Sequence, residues 1–175
     1  MIYQLLLKKE TCHCENLWQN KLGKKLHEST WKNIFLNTKE TKLQEIQWKI
    51  IHNIYPTNIL LNRMGLEPSE KCEVCGVTEF VEHLFFECKR IENFWETVEN
   101  VINLRIGKHI ALTKYNIILG IEQDANYNNY TKQEISIINN ILIIAKFSIS
   151  KSKKWKQNVN LVLERELQIR QNIFL

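Results

Sequence analysis

Four residues within a stretch of seventeen have the types and spacing to share one ion. Cys72, Cys75, His83 and Cys88 follow the pattern Cys-x2-Cys-x7-His-x4-Cys. A Cys-x2-Cys turn aims two sulfurs inward and leaves backbone N–H groups to hydrogen-bond them. Gly76, directly after, supplies the φ freedom that such a turn needs. His83 and Cys88 complete three sulfurs and one nitrogen, a donor set that suits tetrahedral Zn²⁺ with no position left open. A closed set of this kind is structural rather than catalytic. The competing reading, unliganded thiols beside a core histidine, suits a lone Cys or His better than four ligands in this order.

The other chemistry-bearing residues form no comparable group. Cys12 and Cys14 flank His13, but cysteines separated by one residue seldom reach the same ion, so free thiols are expected there. His27 falls at a helix end and His52 on the polar side of a helix, and both read as surface residues. His109 has no acid or nucleophile near it in sequence. There is no Gly-rich phosphate loop, nucleophile elbow or paired-carboxylate motif, so neither an active site nor a small-molecule substrate is expected.

The elements that must hold the four ligands read as helices. The 175 residues contain five Gly and two Pro among many Ile, Leu, Lys, Glu and Gln, a balance that favours a mostly α fold. The expected architecture is a small helical domain organised around the Cys-Cys-His-Cys zinc knuckle. Glu15 to His27 repeats Trp18, Leu22 and Leu26 on one face, and Ser29 or Thr30 can cap a short helix carrying Trp31, Ile34 and Phe35. Thr41 to Tyr55 carries Leu43, Ile46, Ile50 and Ile54, widened by Trp48 and Ile51, with Pro56 as the expected stop. Thr57 caps a short helix through Leu60, Leu61 and Met64, and Gly65 stands where a left-handed C-cap is wanted. Thr78 is expected to cap a helix from Glu79, with Glu82 in its first turn. Five residues on an α-helix rotate by about 140°, so His83 and Cys88 cannot share a face unless the helix ends near Phe86 or Glu87. Leu84, Phe85, Phe86, Phe94 and Trp95 are placed to pack around the ion.

Beyond Cys88, a helix with Ile91, Phe94, Trp95, Val98 and Ile102 runs to Gly107. Leu112 to Gly120 is short and apolar, either strand or helix, and Glu122 to Tyr130 reads as an exposed loop. Thr131 with Glu134 forms a capping box that opens a long helix burying Ile135, Ile138, Ile141, Ile144 and Phe147. Lys151 to Lys156 breaks the apolar pattern, and a last helix carries Val159, Leu163 and Leu167. The expected organisation is an N-terminal helical segment at 1–30, the zinc-binding module at 31–107 and a C-terminal helical segment at 108–175. No run reaches the roughly 18 apolar residues of a membrane span, and the apolar start at Met1 to Leu7 stops too soon for a signal peptide. An intracellular, reducing setting, nucleus or cytoplasm, is therefore expected.

The formal net charge is +5, compatible with a polyanionic partner without requiring one. Lys146, Lys151, Lys153, Lys154 and Lys156 form a basic run with Trp155 inside it. Backbone charge beside an aromatic platform could hold RNA or DNA. A solvated helix junction would look the same in sequence.

The stretch from Trp31 to Glu99 resembles the zinc-binding region near the C-terminus of LINE-type (non-LTR) retrotransposon reverse transcriptases. Trp31, "KIIHNIYPTNILLNRMGL", "CEVCGVTEFVEHLFFEC" and Phe94-Trp95 carry the resemblance. Downstream, "ILIIAKFSISKSKKWK" and the helix from Leu163 to Leu167 are similar to the tail of LINE-1-like elements. The resemblance implies zinc on Cys72, Cys75, His83 and Cys88, and a module that helps hold RNA or DNA near a polymerase during target-primed reverse transcription. The gap before His83 is longer than in a retroviral zinc knuckle, so that module's RNA-reading geometry is not implied. The polymerase palm with its paired aspartates and the endonuclease have no counterpart here, so a non-catalytic C-terminal fragment, remnant or domesticated piece is expected. A scaffold domain docking on the polymerase domains of a parent protein, or a relic without selected function, is the alternative.

Overall fold

The computed structural model describes residues 13–22, 30, 38–122 and 127–170. Among these the structure is helical, with one isolated antiparallel bridge between Lys71 and Thr78. Helix α1 is His13–Leu22, α2 Thr41–Ile51, α3 Asn58–Arg63, α4 Phe94–Ile106, α5 Lys114–Leu119, α6 Lys132–Trp155 and α7 Val159–Ile169. A π-helical turn, His83–Glu87, and a 3₁₀ turn, Lys89–Ile91, lie between α3 and α4. The mostly α expectation holds. Trp31, Ile34, Phe35 and the side chains of Cys12, His13, Cys14 and His27 lie outside the described residues.

Helix α6 is the axis, and α2, α4 and α7 pack along it. Thr131 and Glu134 form the expected capping box, satisfying N–H groups that have no intrahelical partner. Ile135, Ile138, Ile141 and Ile144 are buried, and Phe147 is half-buried. At 24 residues α6 is long and apolar enough to cross a membrane by length and composition, yet 67% of that window is buried inside the protein. It is the core helix of this fold. From α1, Trp18 is buried in the same core and its indole N–H donates to the Ile51 carbonyl at 2.7 Å.

Three local expectations are corrected. Helix α2 ends before Pro56, because Asn53 takes a left-handed conformation at φ 54°. The Ile54 N–H bonds the Lys49 carbonyl and the Asn53 N–H bonds the Ile50 carbonyl, the two bonds of a Schellman stop. Ile54, beyond the stop, is consequently exposed; within α2, Trp48 is exposed and Gln47 is buried in the stripe instead. Second, Thr78 pairs with Lys71 and the helical segment begins at Val81, not Glu79. Third, the helix expected after Cys88 is split: Ile91 belongs to the 3₁₀ turn, and left-handed Asn93 redirects the chain into α4. The ambiguous stretch before Gly120 is α5, opened by a capping box between Thr113 and Asn116.

Candidate metal centre

Cys72 and Cys75 sit on a short turn between the two bridged residues Lys71 and Thr78. The Cys72 N–H bonds the Val77 carbonyl at 2.7 Å and the Gly76 N–H bonds the Cys72 carbonyl at 2.9 Å. Gly76 has φ 73°, a conformation that costs glycine nothing and strains other residues. His83 and Cys88 arrive on the π turn. Its closing bond runs from the Cys88 N–H to the His83 carbonyl at 2.8 Å. That i→i+5 bond widens the turn, so residues five apart come close to one face. The 140° misfit of an α-helix is thus removed by local overwidening, after which Cys88 is extended (φ −69°, ψ 134°).

The four ligand atoms lie within 4.8 Å of one another. The Cys88 sulfur is 3.7 Å from both the Cys72 and Cys75 sulfurs. A tetrahedron with zinc–sulfur bonds of about 2.3 Å has edges of about 3.8 Å, whereas a disulfide would need about 2.0 Å. Buried His83 Nε2 has no hydrogen-bond partner among the described residues, which is the expected condition of a nitrogen reserved for a metal. The sulfurs are supported from behind, as the Lys89 N–H donates to the Cys75 sulfur at 3.3 Å.

The thiols' acidity points the same way. Burial pushes the Cys88 thiol up to about 12, and the neighbouring Cys72 and Cys75 sulfurs reinforce this against the Arg90 N–H. Burial also opposes ionisation of Cys72, but donors led by the Cys75 N–H, with His83, Val74 and Cys88, bring it down to about 7. Three thiolates cannot share this space without a cation. A divalent ion would supply the missing charge and hold the four donors in a closed, structural arrangement.

Around the cluster, Leu84 and Phe85 are fully buried and Phe86 is partly exposed. Tyr55 packs edge-on to Phe85 at 4.9 Å, and the Trp95 indole donates to the Phe85 carbonyl at 2.8 Å. Sequence reasoning missed the polar support. Glu79, 1% exposed, accepts from the Asn58 N–H at 2.9 Å and from Lys153. Asn58 in turn accepts from Lys153 at 2.8 Å and donates to the Lys71 carbonyl at 2.8 Å. The only sequence signal was an acidic residue beside Thr78, and it resembled a helix start.

The basic run does not act as one surface. Lys146 is wholly buried on α6, its ammonium 3.3 Å from the Ile118 carbonyl, so its assignment to a nucleic-acid surface is withdrawn: it faces the core side of the helix. Lys151 is partly exposed, pairs with Glu166 at 2.6 Å and covers the Phe147 ring. Lys153 is committed to Glu79 and Asn58. Lys154, Trp155 and Lys156 are exposed. Lys154 lies over the Trp155 ring, and Lys156 is 3.8 Å from Glu73 on the cysteine turn.

A search of curated proteins returns no match. The family described as zinc-binding in reverse transcriptase matches residues 6–95, a span that includes all four ligands and extends upstream of Trp31. That match covers just over half of the 175 residues, and with a three-cysteine, one-histidine cluster positioned for the ion, the chain belongs to the family of zinc-binding regions of reverse transcriptases.

Proposed function

We propose that this chain is a non-catalytic zinc-binding module of a LINE-type reverse transcriptase, working inside the cell, in nucleus or cytoplasm, to hold RNA or DNA near the polymerase during target-primed reverse transcription. The observation that supports the nucleic-acid role is the exposed trio Lys154, Trp155 and Lys156 at the end of α6, with Lys156 beside Glu73 of the cysteine turn. Two ammonium groups flanking an indole that is 61% exposed offer phosphate contact and a face on which an unpaired base can stack.

Fluorescence anisotropy tests this. Lys154→Gln with Lys156→Gln should weaken binding equally for unrelated RNA sequences and flatten the salt dependence, because about two fewer counterions are released. Trp155→Ala should weaken single strands more than duplex. Wild-type affinity and salt slope in the double Gln variant would refute the reading.

One observation favours docking on another protein domain instead. A groove of about 620 Å³ runs between α4 and α7 over Ile141, lined by Val101, Leu104, Leu161, Leu163 and Leu167. Leu104 there is 87% exposed, as apolar residues at a covered interface are when the partner is absent.

A further inference from the structure

We infer that metal occupancy of the cysteine cluster sets the position of the Lys154–Trp155–Lys156 surface, through a polar relay in which Lys153 reaches the buried Asn58 and Glu79. Only the binding half of this inference rests on the nucleic-acid reading above.

The relay begins at the ligands. Lys71 precedes Cys72 directly, and Glu79 lies between Cys75 and His83 in the chain. The Glu79 N–H bonds the Glu70 carbonyl at 2.8 Å, and the Ile59 N–H bonds the Glu79 carbonyl at 3.3 Å. The turn bearing the cysteines is thereby fixed to the start of α3. Asn58 joins the two sides by donating to Lys71 and receiving Lys153. Both Asn58 and Glu79 are buried, while the Lys153 side chain that they hold is 23% exposed. A charge-assisted bond to an inaccessible carboxylate holds its geometry, because breaking it would leave the buried Glu79 charge unpaired.

Lys153 belongs to the last turn of α6. That helix stops at left-handed Lys156 (φ 50°), the Gln157 N–H reaches back to the Ser152 carbonyl, and the Ser152 hydroxyl donates to the Gln157 carbonyl. Lys154, Trp155 and Lys156 therefore occupy a fixed final turn that Lys153 ties to the cysteine turn. The second tie to the cysteine turn, Lys156 to Glu73, is exposed and 3.8 Å long, and contributes little. Loss of the ion releases the segment from Cys72 to Cys88, because site assembly and local folding share one free energy. Glu79 and the Lys71 carbonyl lose their fixed positions with it, and Lys153 loses its anchor. The relay is a physical chain with two arrangements, docked and released, and the ion biases it.

Hydrogen exchange on the full chain, with zinc and after chelation, tests the coupling without nucleic acid. Chelation should accelerate the amides of residues 152–158 roughly tenfold while those of 138–145 stay protected. Lys153→Met should show fast exchange at 152–158 with zinc still bound, and no further change on chelation. Because that variant leaves a buried carboxylate unpaired, the double variant Glu79→Gln with Lys153→Met decides the matter if the single one does not fold. Zinc-independent exchange at 152–158 in the wild type, simultaneous loss of protection at 138–145, or a zinc response retained in the double variant would each overturn the coupling. In parallel, a fluorescein-labelled oligouridylate of about 12 nucleotides should bind the zinc form roughly tenfold more tightly, and should raise zinc affinity by the same factor. Absence of oligouridylate binding in either form would sink the nucleic-acid reading, while the exchange experiment still decides the coupling.

Discussion

Replacing Lys146 with Met should stabilise the protein, and should do so in a pH-dependent way. Lys146 is completely buried, and its nitrogen stands 3.3 Å from the Ile118 carbonyl. Burial alone brings its pKa down from 10.5 to about 7. The unfolded chain therefore keeps the proton between about pH 7 and 10.5 while the folded chain gives it up, so stability rises with pH across that window. Below pH 7 both states are protonated and the folded state carries the whole cost of a buried ammonium. The drop from 10.5 to about 7 corresponds to about 5 kcal/mol, most of it still present at pH 7. Methionine keeps the unbranched stem and removes the charge. Thermal unfolding of Lys146→Met should occur about 10 °C above wild type at pH 6 to 7, with the gap closing toward pH 10. An equal or lower midpoint at pH 6, or a gap that does not change with pH, would refute the assignment of Lys146 to the core.

Cys75→Ser should lower zinc content from one ion per chain and open the segment between Pro68 and Lys89 to proteolysis, since a hydroxyl is a poor zinc ligand; an unchanged protease pattern would count against a structural ion. Asn139→Ala should cost about 3 kcal/mol in chemical denaturation, because it leaves both the N–H and the carbonyl of Ile121, now bonded at 2.7 and 2.8 Å, unpaired in the core. Gly120→Ala should also destabilise, since Gly120 has φ 88° and a Cβ there would lie 2.9 Å from the Asn139 oxygen; a neutral result in urea melts would show that the loop can shift. Glu166→Gln should cost about 3 kcal/mol near pH 7, because a nearly inaccessible carboxylate receives Lys151 and Arg170, each at 2.6 Å. Burial opposes its ionisation, but those two cations hold its pKa below the usual carboxylate range. The stability it contributes is present above pH 4.5 and is lost as pH falls through the depressed value, so variant and wild type should converge in acid melts.

Periodicity and capping in the sequence determined the helices that are stabilised by local rules. The Thr131–Glu134 box, the Ile stripe of α6 and the stop at Gly107 are written within a few residues of where they act. The ligand set was legible for the same reason, as its four members lie on two short turns and their spacing is a property of the chain alone. Sequence also required that the helix between His83 and Cys88 be interrupted, but not how. The π turn emerged because packing of Leu84 and Phe85 keeps the segment helical while the cluster draws Cys88 back over His83. Tertiary structure alone decided the fate of the polar residues. Lys146 and Lys154 are the same residue type on one helix, eight positions apart, yet one is in the core and the other in solvent. Asn139 looked like an interruption in an apolar run and is a side chain that pairs with backbone eighteen residues away. Glu79 looked like a helix start and instead joins the cysteine turn to α3 and α6. Each of these depends on which element arrives opposite, and a hydrogen bond or ion pair between distant segments leaves no period in the chain that forms it.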